Sequence, residues 1–174
     1  VIPISEHHSD LVTWQRVCQK TGAELDYMSP DGEGHFTEED LAKIDDKTKI
    51  VAFAAVSNVF GMKRPVKEIV AKAHAVGAIA IVDGAQSTPH MKTDVQDMDC
   101  DFFAFSGHKM CGSASTGVLY GKKAILEGME PFLLGGDMIE YVKEQSTTFN
   151  ELPFKFEAGS QNVEGAVALH AAID

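Results

Sequence analysis

Cysteine is scarce in this 174-residue chain. The three residues, Cys18, Cys100 and Cys111, are odd in number, widely spaced and without a CxxC pair. That pattern excludes a disulfide framework and a thiolate metal site, and it suits a reducing, cytoplasmic setting. Long apolar runs are also missing. A representative stretch, Val76-Gly77-Ala78-Ile79-Ala80-Ile81-Val82, stops at Asp83. Its length suits a buried strand and is too short to cross a bilayer. Basic residues are few, 15 against 26 acidic ones, and the formal net charge is −11. Such a balance works against binding nucleic acid or an anionic membrane. No internal repeat or low-complexity tract interrupts the chain.

What is present is ordinary for a globular domain: 44% hydrophobic and 24% charged residues, in a length that supports one sizeable core. Charge arrives by Glu6 with no basic segment before it, so no signal-peptide pattern is expected. Val1–Ile4 reads as a strand already under way, and the helical pattern ending at Asp174 lacks a capping glycine. The expectation is a piece of a longer protein.

Short apolar runs alternate with helical patterns. Strands are expected at Val1–Ile4, Ala23–Met28, Ile50–Ala55, Ala78–Val82, Asp101–Phe105 and Gly117–Tyr120, and helices at Ser9–Thr21, Thr37–Ile44, Pro65–Val76, Lys122–Glu127 and Val163–Ile173. Thr37 before Glu38, Glu39 and Asp40 is a helix start, as is Pro65 in a first turn. This alternation predicts a three-layer α/β fold, a mostly parallel sheet flanked by helices, with the last strand antiparallel. Strands Ile50–Ala55 and Ala78–Val82 are wholly apolar, as in strands covered on both faces. Ala23–Met28 carries Glu24 and Asp26 and belongs near an edge. Leu133–Pro153 has little periodicity and reads as a long loop.

In such sheets ligands sit beyond the carboxyl ends of the strands. Three strand ends deliver polar groups there: Ser57-Asn58, Asp83-Gly84-Ala85-Gln86 and Ser106-Gly107-His108-Lys109. A lysine soon after an apolar strand is partly buried, the condition for a Schiff-base amine. Ser106 and His108 offer donors for a phosphate beside Lys109. Asp83 suits a protonated heterocyclic nitrogen, because a buried carboxylate needs a positive partner. Ala85 leaves room for a flat ring, and Gln86 and Asn58 suit a ring hydroxyl. His7 and His8, after the first strand, could stack on a ring or move protons. Each residue alone has an ordinary reading: a solvated lysine or histidine, a turn, a helix cap, simple packing. The combination, four strand ends suited to four parts of one cofactor, is what carries weight.

The chain resembles the class V aminotransferase-like group of fold-type I pyridoxal 5'-phosphate (PLP) enzymes, and within it the SufS-type cysteine desulfurases and related selenocysteine lyases. The matching segments run in order: Glu6-His7-His8-Ser9-Asp10 with Trp14-Gln15, Val56-Ser57-Asn58-Val59-Phe60-Gly61, Val82-Asp83-Gly84-Ala85-Gln86-Ser87, Asp99-Cys100-Asp101-Phe102, Ser106-Gly107-His108-Lys109 and Phe156-Glu157-Ala158-Gly159-Ser160. The resemblance implies that Lys109 carries the cofactor and then moves the α-proton. It places Asp83 on the pyridine nitrogen, Gln86 and Asn58 near the ring hydroxyl, and His7 on the ring face. Ser106 and His108 would hold the phosphate. Ser160 stands where the family usually has threonine, in a loop reaching the partner's phosphate in a homodimer.

Two departures stand out. The family usually shows Gly-Pro-Thr-Gly after the lysine, whereas here Gly112 is followed by Ser113-Ala114-Ser115. An earlier phosphate-binding turn is lacking, as is a small C-terminal domain with a sulfur-accepting cysteine and a substrate-binding arginine. Residues 1–174 would then be a large PLP-binding domain, incomplete at both ends. The activity implied for the whole enzyme is removal of sulfur or selenium from an amino acid, cysteine or selenocysteine, to leave alanine, with a sulfur-acceptor protein and iron–sulfur cluster assembly downstream. The fragment alone is expected to be inactive. The alternatives are another class V enzyme, a transaminase or kynureninase-like hydrolase, and a non-catalytic interaction protein that kept the fold.

Overall fold

A computed structural model describes residues 1–174. The elements run β1 (Ile2–Pro3), α1 (His8–Thr21), β2 (Tyr27–Met28), α2 (Glu38–Ala42), β3 (Ile50–Ala54), α3 (Val66–Ala75), β4 (Ile79–Asp83), α4 (Val95–Met98), β5 (Phe102–Ser106), β6 (Gly117–Gly121), α5 (Lys123–Gly128), β7 (Ile139–Lys143), β8 (Ser146–Phe149) and α6 (Val163–Ile173). The main sheet has the order β3-β4-β5-β6. Its first three strands are parallel, and β6 returns antiparallel. The mostly parallel sheet with an antiparallel last strand matches the expectation.

The parallel pair β1–β2 lies beside β3. The Val1 carbonyl accepts from the Ala52 N–H at 3.1 Å, and the Val1 amine donates to the Ile50 carbonyl at 2.8 Å. The core forms where the apolar strands were expected. Val51, Phe53, Ala80, Val82 and Phe103 are buried with Ile69, Val70 and Ala73 of α3. Gly84, just past β4, is required by packing, since a Cβ there would lie 2.0 Å from the Phe103 ring.

Helix starts follow their local chemistry. Thr37 and Asp40 form a capping box at α2, in which Thr37 Oγ1 accepts from the Asp40 N–H and Asp40 Oδ2 from the Thr37 N–H. The segment Leu133–Pro153 departs from the expected loop: it contains the hairpin β7–β8, turned through Glu144 and Gln145. Its residues are mostly exposed on both faces, so no alternation of burial marked it. Helix α4 was also unexpected. It is four residues long, too short for a periodic pattern, and is capped by Asp94, which accepts from the Gln96 and Asp97 N–H groups.

Candidate active site

The carboxyl ends of β3, β4 and β5 open into a cavity of about 430 Å³. Small-molecule sites typically span roughly 300–1,000 Å³. The walls include His7, Asn58, Asp83, Ala85, Gln86, Ser106, His108 and Lys109. Eight of the nine residues given a part at the cofactor by the resemblance or by ring packing thus meet at one place, and His8, also considered, is not among them. The ninth, Ser160, lies exposed in the bend before α6 and is not part of this wall.

Register explains the space. Asp83 pairs with Ala54 on one side and Ala104 on the other, and both alanines line the cavity. With Ala85 they leave a low wall on which a flat ring can lie. Asp83 is half-buried, and its carboxylate accepts one bond, from the Ala85 N–H at 2.7 Å. Nothing else in the chain neutralises it. Lys109 sits in a 3-10 turn, Gly107–Met110, half-buried and without a hydrogen bond or ion pair to the protein. The turn is held from behind. The Gly107 N–H donates to the Thr116 carbonyl at 2.8 Å, and Leu169 of α6 packs against Gly107 and Gly112.

The departure at Ser113–Ser115 has its own anchoring. Ser113 Oγ and Ser115 Oγ lie 2.7 Å apart, and the Asn162 amide at the start of α6 donates to Ser115 O and Oγ at 3.0 and 2.9 Å. His7 caps α1. Its Nδ1 accepts from the Ser9 N–H at 3.2 Å and lies 2.8 Å from Ser9 Oγ.

Two carboxylates escaped attention in the sequence. Glu6 is buried and ion-paired with the buried Arg64, and it accepts from the Ala54 N–H at 3.0 Å. Burial pushes Glu6 up to about 6, while Arg64 and the Ala54 N–H pull the other way. The partners are 58 residues apart, which no local pattern signals. Asp10, in the first turn of α1, lines the cavity and accepts from Trp14 Nε1 at 2.5 Å. Burial raises its pKa, the Trp14 bond opposes that, and the charge of Asp83 raises it further. The only available signal was its place in the Glu6–Asp10 motif.

None of the three cysteines lines the cavity. Cys100 is buried, Cys18 half-buried and Cys111 exposed, and all are free thiols. No cluster of metal-ligating side chains is present, and no helix is long and apolar enough to cross a membrane.

An α/β sheet whose strand ends carry an unpaired lysine and an unpaired aspartate around one cavity belongs to the class of α/β proteins with a candidate ligand site at that edge. The description "Aminotransferase class-V" matches residues 1–174, and the chain belongs to that family. It is 56% identical over its whole length to a Halalkalibacterium halodurans protein named "Probable cysteine desulfurase". It is 49% identical, over 97% of its length, to the cysteine desulfurase of Haloferax volcanii. The crystal structure of a cysteine desulfurase from Escherichia coli superposes with a TM-score of 0.93 at 40% identity, covering 99% of this chain and 43% of that one. The chain spans 43% and 40% of the lengths of the two curated relatives.

Proposed function

We propose that the whole protein is a pyridoxal-phosphate-dependent cysteine desulfurase, of which residues 1–174 are the large cofactor-binding domain, incomplete at both ends. The observation that carries this is the convergence of Lys109, Asp83, Asn58, Gln86, His7, Ser106 and His108 on one cavity. The likeness to proteins named cysteine desulfurase, over the full chain, points the same way. The donor set fits the cofactor: an unpaired amine, an unpaired carboxylate, a low alanine wall and hydroxyl and imidazole donors beside the amine.

Pyridoxal phosphate, when bound, supplies a carbonyl carbon for amine exchange and an electron-withdrawing ring. Lys109 Nζ would hold the cofactor, and its amine, half-buried and unpaired, would serve as the base for the proton on the substrate α-carbon. Asp83 keeps the ring nitrogen protonated. Gln86 and Asn58 would hydrogen-bond the ring hydroxyl, His7 would cover the ring face and serve proton transfer, and Ser106 and His108 would hold the phosphate. The sulfur-accepting thiol comes from the rest of the protein, since Cys18, Cys100 and Cys111 are outside the cavity wall. The products are alanine and a persulfide, passed to an acceptor protein for iron–sulfur cluster assembly in the cytoplasm. Selenocysteine is the related substrate. A homodimer brings Ser160 to the partner's phosphate. The 174-residue piece alone is inactive in desulfuration.

The test is to add pyridoxal 5'-phosphate to the intact protein, reduce with borohydride and map the modified peptide, then measure alanine and sulfide from cysteine. Label on Lys109 with alanine production is the expected result. Label without alanine would point to a transaminase or kynureninase-like enzyme, and no label to a non-catalytic protein.

A further inference from the structure

Asp83 is not the only carboxylate on the cavity wall. Asp10 faces the same space from the first turn of α1, where the helix dipole favours negative charge. Its Oδ1 accepts from Trp14 Nε1 at 2.5 Å, which ties the carboxylate to a side chain one turn further along. The charged groups that act on it come from three other directions: His7 at the cap of α1, Asp83 at the end of β4, and the buried Glu6–Arg64 pair. Arg64 is already committed to Glu6 and Ser5 and stacks over Phe36 at 5.0 Å. Neither Asp10 nor Asp83 forms an ion pair within the chain, although Lys109 stands on the same wall.

We propose that Asp10 is a second counter-ion of the cavity, acting with Asp83 on one cationic ring nitrogen. The inference rests on the pyridoxal phosphate reading above and adds to it a residue which that reading leaves without a part. Two half-buried carboxylates on one wall repel each other. A protonated heterocycle between them relieves the repulsion, so the wall selects for a positively charged ring. The same arrangement makes Asp10 a positioning residue for charge: it raises the tendency of the ring nitrogen to keep its proton.

The discriminating experiment uses the intact protein and two cofactors, pyridoxal 5'-phosphate and its 1-deaza analogue, in which a C–H replaces the ring nitrogen. Asp10→Asn keeps an acceptor for Trp14 and removes only the charge. It should weaken pyridoxal 5'-phosphate about tenfold and leave the deaza analogue unchanged. Equal weakening of both cofactors would assign Asp10 a structural role, and unchanged affinity for both would assign it none. Either result overturns the proposal.

A second readout needs no cofactor. Trp14 is the one tryptophan of this chain, and in the intact protein its emission is isolated as the difference between wild type and Trp14→Phe. Its acid titration follows Asp10 and should move to lower pH in Asp83→Asn, because the charge of Asp83 raises Asp10. A titration that stays in place overturns the shared-charge argument. Failure of pyridoxal 5'-phosphate to label Lys109 overturns the underlying reading and this one with it. Labelling without discrimination between the two cofactors overturns this one alone.

Discussion

The two ends of strand β5 treat charge in opposite ways. At its start, Asp101 is buried and fully used. It accepts from the Ala80 N–H at 2.8 Å, lies 2.9 Å from His74 Nε2 and pairs with Lys122 at 2.9 Å. Asp99 joins the network through Lys122 at 2.7 Å and His74 at 3.4 Å. At its far end, past Ser106, stand Lys109 and His108, and Asp83 ends the neighbouring strand. None of these has an oppositely charged partner in the chain. Burying polar groups costs free energy unless they are paired. A paired cluster is therefore spent on stability, whereas an unpaired, converging one is available to a ligand. The contrast places the chemistry without reference to any relative.

Substitutions at the two ends should separate stability from binding. The largest effect is expected at Lys109→Ala, which should abolish borohydride-trapped label completely. Its stability should stay within about 0.5 kcal/mol of wild type, because no intrachain bond is lost. Peptide mapping and urea unfolding of the intact protein read the two quantities. Arg64→Met strands the Glu6 carboxylate in the interior and should cost about 3–5 kcal/mol in the same unfolding assay at neutral pH. Asp101→Asn should cost about 1–3 kcal/mol by leaving buried donors poorly paired. Label at Lys109 should be unchanged in that variant. Loss of label in Asp101→Asn would break the comparison, since the paired end would then be shaping the site.

The smallest effect is in pH dependence, where the two kinds of carboxylate differ in sign. Burial alone would raise Asp101, but the Ala80 N–H, His74 and Lys122 outweigh it and hold it below its ordinary 3.8. Its contribution is complete above 3.8 and is lost as pH falls through the lower folded value. Glu6 runs the other way. Raised from 4.5 to about 6, it contributes fully below 4.5, and that contribution declines as pH rises through about 6. Urea midpoints taken from below 3.8 to above 6 should show both slopes. Asp101→Asn should reduce the first, to which Asp40 and Asp99 also contribute, and Glu6→Gln the second, to which Asp10 contributes.

Much of this was legible before folding. The apolar runs around Ala52 and Ala80 mark strands covered on both faces, and the polar residues that end them mark the ligand edge. Asp83 stood out because it follows such a run directly, and Lys109 because it comes four residues after Phe105, the last apolar residue of its strand. The hairpin β7–β8 did not, because its side chains face solvent on both sides and its turn, Glu144-Gln145, has no glycine or asparagine. Asp10 was visible only as part of a motif, and Glu6 was silent, since its partner Arg64 lies 58 residues away.

Periodicity and strand-end chemistry thus determine the class of fold and point to one edge as the candidate site, because both are written in neighbouring residues. Folding alone decided which groups would be neutralised. Asp101 found His74 and Lys122, and Glu6 found Arg64, whereas Asp10 and Asp83 came to share one wall without an ion pair. Such pairings depend on distances across the sheet, which local sequence does not encode.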